Sequence, residues 1–349
     1  MGALAFAAAA AGSAALGYAV KRRAVAGIDP AAGGEWAELH RPVHGTPVDV
    51  VSSDGTRLHA EVLGHDDAPT VVLCHGYGLS QHAWHYQRRD LRDRFRVVCY
   101  DQRGHGASDL AADGDYSMAA LGRDLEAVLA ATVPAGRAPV VVGHSMGGMS
   151  VLSYAEQFPD DLARLAGVVL MATAAGNVVA GGAFTAGTAT LSTLRRFALR
   201  RGWRDAESAS TPRAEDPGEW GDAPPADTLF LLTRALGLSP DADPAHVAFT
   251  EQLLVQAPGR VKAALGPALT SLRLAHVAER LTMPGVVMVG EADRLTPVSQ
   301  ARRLAEAMPR AQLQIVSGAG HMLPLEAGAR VTAAIAELAD EVTGAGAAR

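Results

Sequence analysis

One stretch constrains this chain more than any other: Val140-Val141-Val142-Gly143-His144-Ser145-Met146-Gly147-Gly148-Met149. A β-branched run, which reads as a buried parallel strand, ends in Gly-x-Ser-x-Gly. From Ser145 to about Phe158 the pattern reads as helix. Between strand and helix the chain must reverse sharply, with Ser145 at the apex in a strained conformation. Gly143 and Gly147 are needed where any Cβ would strike the neighbouring strand or helix. Such a turn lifts the serine hydroxyl out of the sheet. It also aims the free N–H groups of a helix start at whatever the hydroxyl attacks. The three-residue signature alone arises by chance, so the strand before it and the helix after it carry the weight.

The surrounding chain alternates in the same way. Val48 to Leu63 reads as a β-hairpin around the turn signal Asp54-Gly55. Thr70–Cys74 and Phe95–Tyr100 read as strands, Leu121–Val133 as a helix, and Pro139–Val142 and Gly167–Met171 as further strands. Later strands are expected at Gly285–Val289 and Gln312–Val316. The expected class is α/β: a mainly parallel sheet with helices on both faces.

At 349 residues the chain can bury a full core as one large domain, or as a domain with an insertion. A net charge of -6 argues against nucleic acid as a partner. Cys74 and Cys99 fall in apolar runs that read as neighbouring strands, so buried, inert thiols are expected. Neither a disulfide framework nor a zinc-type spacing is present, and no metal site is expected.

The first residues, 1–28, form an apolar, alanine-dominated segment followed by Lys21-Arg22-Arg23. The uncharged run Gly2–Val20 is long enough to span a bilayer at about 1.5 Å per residue. Its charges follow the apolar run rather than precede it, which disfavours a cleaved signal peptide. By the positive-inside rule the rest of the chain would then stay cytoplasmic, on a membrane anchor; the alternative is a soluble cytoplasmic protein. Asp29-Pro30 and Ala31-Ala32-Gly33-Gly34 read as a linker.

Three motifs, in order, carry a resemblance: His75-Gly76-Tyr77-Gly78, Asp101-Gln102-Arg103-Gly104-His105-Gly106, and the Gly-x-Ser-x-Gly turn. Together they resemble the α/β-hydrolase superfamily over about Val48 to Leu338. The resemblance implies a core of residues 35–173 and 284–345, and places a helical lid at the insertion 174–283. It also implies an oxyanion hole built from the backbone N–H groups of Met146 and Tyr77, which would stabilise charge developing on a carbonyl oxygen. His144, Tyr77 and Trp84 are the expected substrate-binding residues, although packing is an equal alternative for the Tyr77 ring and the better one for Trp84, His82 and His85. His75, His105 and Arg103 are expected to fix loops.

Two loops remain. Gly290-Glu291-Ala292-Asp293-Arg294-Leu295-Thr296-Pro297 follows one strand, and Gly318-Ala319-Gly320-His321 follows the last. Ser145, Asp293 and His321 thus occur in the hydrolase order, each at the carboxyl end of a strand. Glu291 is a rival acid; the family pattern favours Asp293. The expected chemistry is acyl transfer: His321 accepts the Ser145 proton, Asp293 holds the imidazole, and water releases the acid. It requires no cofactor. A serine here also disfavours haloalkane dehalogenases and epoxide hydrolases, which in the resembled superfamily use an aspartate nucleophile.

The insertion shows helical patterns at Leu191–Leu199, Asp227–Leu236 and Pro244–Val255, with Phe184, Phe197, Trp203, Phe230 and Leu231 able to face substrate or core. Residues 195–204 form a basic cluster with apolar interleaving; with residues 2–23 they make membrane-surface contact one reading, and a solvated helix face the other. The expected activity is hydrolysis of a small-molecule carboxylic ester with a small or medium apolar acyl group. Alternatives on the same triad are a carbon–carbon-bond hydrolase, a cofactor-free perhydrolase and a thioesterase. A membrane-associated binding protein is the non-enzyme alternative, against which the intact triad argues.

Overall fold

A computed structural model describes residues 34–176 and 226–344. The N-terminal segment 2–23 and the basic cluster 195–204 lie outside the described residues, as does the expected helix at 191–199. Among the described residues no helix is long and apolar enough to cross a membrane.

Among the described residues eight strands form one sheet. They are β1 (Thr46–Val51), β2 (Arg57–Leu63), β3 (Thr70–Cys74), β4 (Arg96–Tyr100), β5 (Val140–His144), β6 (Gly167–Met171), β7 (Gly285–Gly290) and β8 (Ala311–Val316), in the order β1-β2-β4-β3-β5-β6-β7-β8. The β1–β2 hairpin is antiparallel and β2 pairs antiparallel with β4; every later pairing is parallel. The strands read as near-continuous Val-rich runs because both faces are covered. Val72, Val98, Val141, Val168 and Val287 pack on one side. Their neighbours Val71, Val97, Val142, Val169 and Val286 pack on the other. Side chains that alternate in direction, with both directions buried, leave no room for polar residues.

The helices complete both faces. After α1 (Glu35–Leu39) come α2 (His85–Leu91), α3 (Met118–Thr132) and α4 (Met146–Gln157). Residues of α3 and α4, among them Leu121, Leu125, Val151 and Leu152, join the first cluster. Leu91 of α2 joins the second, as do Val331, Ile335 and Leu338 of the C-terminal helix Gly328–Thr343. Ser117 caps α3, its hydroxyl accepting from the Ala120 N–H. Cys74 and Cys99 are buried free thiols that burial pushes up to about 12. They sit on adjacent strands but in opposite clusters.

Between β6 and β7 the described chain is helical: α5 (Ala226–Leu232) running into a π-turn (Thr233–Gly237), α6 (Pro244–Gln256), α7 (Gly259–Thr270) and a short 3-10 turn (Ala275–Arg280). Phe230, Leu238, Val247, Phe249 and Leu253 from this region pack with Leu79, Tyr86, Met322 and Leu325 in a third cluster. The insertion is therefore seated on the loops that leave β3 and β8.

One arginine ties the hairpin turn to α3 through two ion pairs. Arg103 and Asp124 are buried and Asp54 is half-buried, and the Arg103 Nε and Nη2 each meet an Asp124 oxygen at 2.6 Å. Arg103 Nη1 donates to Asp54 at 2.8 Å and to the Asp115 carbonyl at 2.7 Å. Removing the guanidinium strands a carboxylate in the core, which typically costs about 3–5 kcal/mol. Arg103→Met is expected to lose stability of that order in urea unfolding at pH 7; a loss below about 1 kcal/mol would show that the pair is dispensable.

Candidate active site

β5 ends at His144 and α4 begins at Met146, which leaves Ser145 alone to make the reversal. Its φ of 53° and ψ of -118° lie where an L-residue is strained, at a cost of order 1–3 kcal/mol. The neighbours over-determine it. The Ser145 N–H donates to the Met171 carbonyl at 2.9 Å, and the Ser145 carbonyl accepts from the Thr173 hydroxyl at 2.7 Å and the Gly148 N–H at 3.0 Å. A Cβ on Gly147 would run into the Cys74 carbonyl, and one on Gly148 into the Thr173 side chain. These close approaches let α4 start directly against β3 and β6.

The acid and the base arrive from β7 and β8. His321 Nε2 lies 2.9 Å from Ser145 Oγ, and His321 Nδ1 lies 2.9 Å from Asp293 Oδ2. A carboxylate only accepts, so Nδ1 carries the hydrogen and Nε2 is left to accept from the serine hydroxyl. Asp293 is buried, and burial alone would raise its pKa. The charge of and hydrogen bond from His321, with those from Thr296, outweigh burial and hold the carboxyl below its usual value. The Thr296 hydroxyl donates to Oδ2 at 2.8 Å, and the N–H groups of Leu295 and Thr296 donate to Oδ1, each at 2.9 Å. Glu291, the rival acid, is exposed to solvent. Thr296 and Thr173 support the site without belonging to any of the sequence motifs. Only the Thr296-Pro297 turn hinted at the first, and nothing local marked the second.

Of the other expected site residues, Met146 offers the first N–H of α4 beside Ser145, while its side chain is in the core. The Gly76–Tyr77 loop lies against the nucleophile turn: a Cβ on Gly76 would come 3.2 Å from Ser145 Cβ. The Tyr77 hydroxyl donates to the Lys262 carbonyl of α7 at 2.9 Å. His144 and Trp84 are not placed to touch a substrate. His144 shares the strand face of Val140 and Val142, beneath the site. Its Nε2 donates to the His321 carbonyl at 2.9 Å. Trp84 is fully buried among Leu73, Leu91 and Val97 and meets the His144 ring edge-on at 6.2 Å. Its position is that of a packing residue.

His75 and His105 are buried between loops. His75 Nε2 accepts from the Gln102 N–H at 2.9 Å, and His105 Nε2 accepts from the Gly78 N–H at 3.1 Å. Their Nδ1–H groups donate to the carbonyls of Gly76 and Arg103. The loop after β3 is thus pinned from the side of Gln102 and His105. Lys262, beside that loop, donates from Nζ to the Leu254 carbonyl at 2.8 Å, and burial lowers its amine to about 8.

Comparison with known proteins shows what the chain as a whole is similar to. Residues 69–328 match the family described as alpha/beta hydrolase fold. A candidate carbamate hydrolase, RutD, of Variovorax paradoxus is 30% identical over 269 residues, 76% of this chain and 89% of that protein. Epoxide hydrolase 1 of Caenorhabditis elegans is 34% identical over 110 residues only, 31% of this chain and 27% of that protein. Among solved structures, a thermophilic esterase from Thermogutta terrifontis superposes with a TM-score of 0.62 at 26% identity, covering 85% of this chain and 98% of its own.

Burial leaves three histidines neutral. It lowers His75 to about 4 and, together with a neighbouring histidine, lowers His105 and His144 to about 3. Unfolded, each would bind a proton below about 6.5. The unfolded state therefore binds up to three more protons than the native one, and stability falls as pH drops below that value. The expected slope is up to about 4 kcal/mol per pH unit, at about 1.4 per proton. Urea unfolding between pH 7 and pH 5 reads it directly. Stability that stays flat across that range would show that these rings protonate in the folded protein.

Proposed function

This chain belongs to the α/β-hydrolase family, and from that premise we propose that it is a serine hydrolase that cleaves carboxylic esters of small or medium apolar acyl groups through an acyl-enzyme. The observation that carries the reading is the unbroken line from Asp293 Oδ2 through His321 to Ser145 Oγ, with 2.9 Å at both steps. Ser145 Oγ attacks the acyl carbonyl while His321 Nε2 takes its proton. Asp293, kept ionised, stabilises the imidazolium and holds its orientation. Met146 N–H, one of the helix-start donors with no intrahelical partner, receives the developing oxyanion. Tyr77 N–H, in the loop against the serine, is its second donor. The protonated His321 then gives its proton to the departing alcohol, and water repeats the sequence to release the acid.

The Thermogutta terrifontis structure is named as an esterase and supports the ester reading. RutD's name supports a second substrate class, a carbamate, whose carbonyl would meet the same nucleophile and the same donors. Epoxide opening through an alkyl-enzyme would need a carboxylate where Ser145 stands.

Release of p-nitrophenol from esters of increasing acyl length, beside a p-nitrophenyl carbamate, tests both. Turnover is expected to peak at a short or medium chain and to fall by more than about a thousandfold in Ser145→Ala, by analogy with removal of other serine nucleophiles. Turnover of the carbamate alone would move the assignment to that class. Ester turnover that persists in Ser145→Ala would remove the acyl-enzyme.

A further inference from the structure

Glu326 gathers three backbone N–H groups on one carboxylate. Gly320 N–H donates to Oε2 at 3.1 Å and Met322 N–H to Oε1 at 3.1 Å, so the residues on both sides of His321 are held. The third donor comes from the insertion: Ser239 N–H reaches Oε2 at 2.7 Å, just beyond the π-turn. Nothing separates the two segments, since a Cβ on Gly320 would collide with the backbone of Leu238 and Ser239. Met322 N–H also meets the Gly237 carbonyl at 3.1 Å. The same stretch is tied to the acid's loop, where Arg294 Nη1 donates to the Ala235 carbonyl at 2.7 Å.

Glu326 closes the one-turn helix Leu323–Glu326, for which Met322 is the N-cap residue. Its return to the Met322 N–H works as a capping box does, one residue further along. A one-turn helix has little stability of its own, so the side chain rather than the turn fixes the loop. Only a carboxylate offers acceptors on both arms. A glutamine would set an amide N–H₂ against one of the donors, and bonds to a charged acceptor are about twice as strong as neutral ones.

We propose that Glu326 is a positioning residue that couples the seating of the insertion, through Ser239, to the alignment of His321 with Ser145. The proposal rests on the serine-hydrolase reading. When residues 237–239 sit on the loop, all three donors converge and His321 is fixed from both sides. When they lift, the carboxylate keeps only the donors within its own loop.

The experiment uses the full chain, a p-nitrophenyl ester and a fluorophosphonate that labels Ser145. Glu326→Gln is expected to lower kcat by about tenfold or more, with KM changed less than about threefold, because misplacement of a catalytic group by about 1 Å can cost up to about a hundredfold. Labelling is expected to slow in proportion while the circular dichroism spectrum stays that of the parent. Ser239→Pro removes the insertion's donor and leaves Glu326 intact; Leu238, with ψ of 167°, accepts a following proline. The double variant is expected to lose less than the product of the two single losses, by about threefold or more, since both act through one contact. Parent-like kcat in Glu326→Gln, or losses that multiply, would overturn the coupling. If Glu326→Gln does not fold, Ser239→Pro alone decides: a kcat loss at constant KM supports the coupling and parent-like kcat overturns it. A parent that fluorophosphonate does not label would instead remove the serine-hydrolase reading itself.

Discussion

The reversal at Ser145 is the constraint on which the molecule depends. Strand passes to helix within this single residue, which presents its side chain directly above the end of β5. That requires the first turn of α4 to lie against the ends of β3 and β6, closer than a side chain permits. Gly147 faces the Cys74 carbonyl and Gly148 faces the Thr173 side chain, so α4 packs against the ends of β3 and β6 at a distance only glycine allows. β6 answers with a second strained residue. Ala172 has a φ of 46°, which turns Thr173 under Ser145 to bond its carbonyl. Strain of this kind persists only in rigid surroundings, and the Val-rich sheet buried on both faces supplies them. In return the hydroxyl and a helix-start N–H face the same side with no reorganisation left to make.

Strand order then decides which loops can meet. β3 lies between β4 and β5, so the chain moves outward from the centre in two directions and leaves a crevice at the carboxyl ends. The loop after β3 and the turn after β5 flank it. Asp293 and His321 come from β7 and β8, two and three strands beyond β5, and must reach back over β6. Asp293 can stay charged in that buried place because four hydrogens point at it, one each from His321 and Leu295 and two from Thr296, against a desolvation that by itself would favour the neutral form.

Much of this was legible in the sequence because it is carried by local pattern. Asp54-Gly55 marked the hairpin, now paired from Thr46↔Val62 to Val51↔Arg57. The apolar runs marked the parallel strands to within a residue or two, and strand ends marked where the reactive side chains would gather. Less legible was what depends on packing between distant segments. α7 contains Gly259, Gly266 and Pro267, so propensity argues against a helix that burial of Val261, Leu265 and Leu269 nevertheless maintains. α1 is five residues long, too short for periodicity to declare. His144 was misleading because it adjoins the nucleophile in sequence. The period of two along β5 already put it on the face of Val140 and Val142, below the site.

The three members of the triad are not held in the same way. Ser145 is fixed by strand spacing, and Asp293 by bonds within its own turn. His321 is held across a boundary. Its neighbours Ala319 and Leu323 are rooted in the core beneath the sheet, whereas Met322 and Leu325 belong to the cluster shared with the insertion. In the proposed reaction the imidazole is also the member that serves two partners in turn, taking a proton from the nucleophile and giving it to the leaving group or receiving one from water. A rigid serine and a rigid carboxylate can be built into a sheet once. A base that must address both atoms is better placed where a covering segment can adjust it, and the boundary between the two clusters is where the chain has put it.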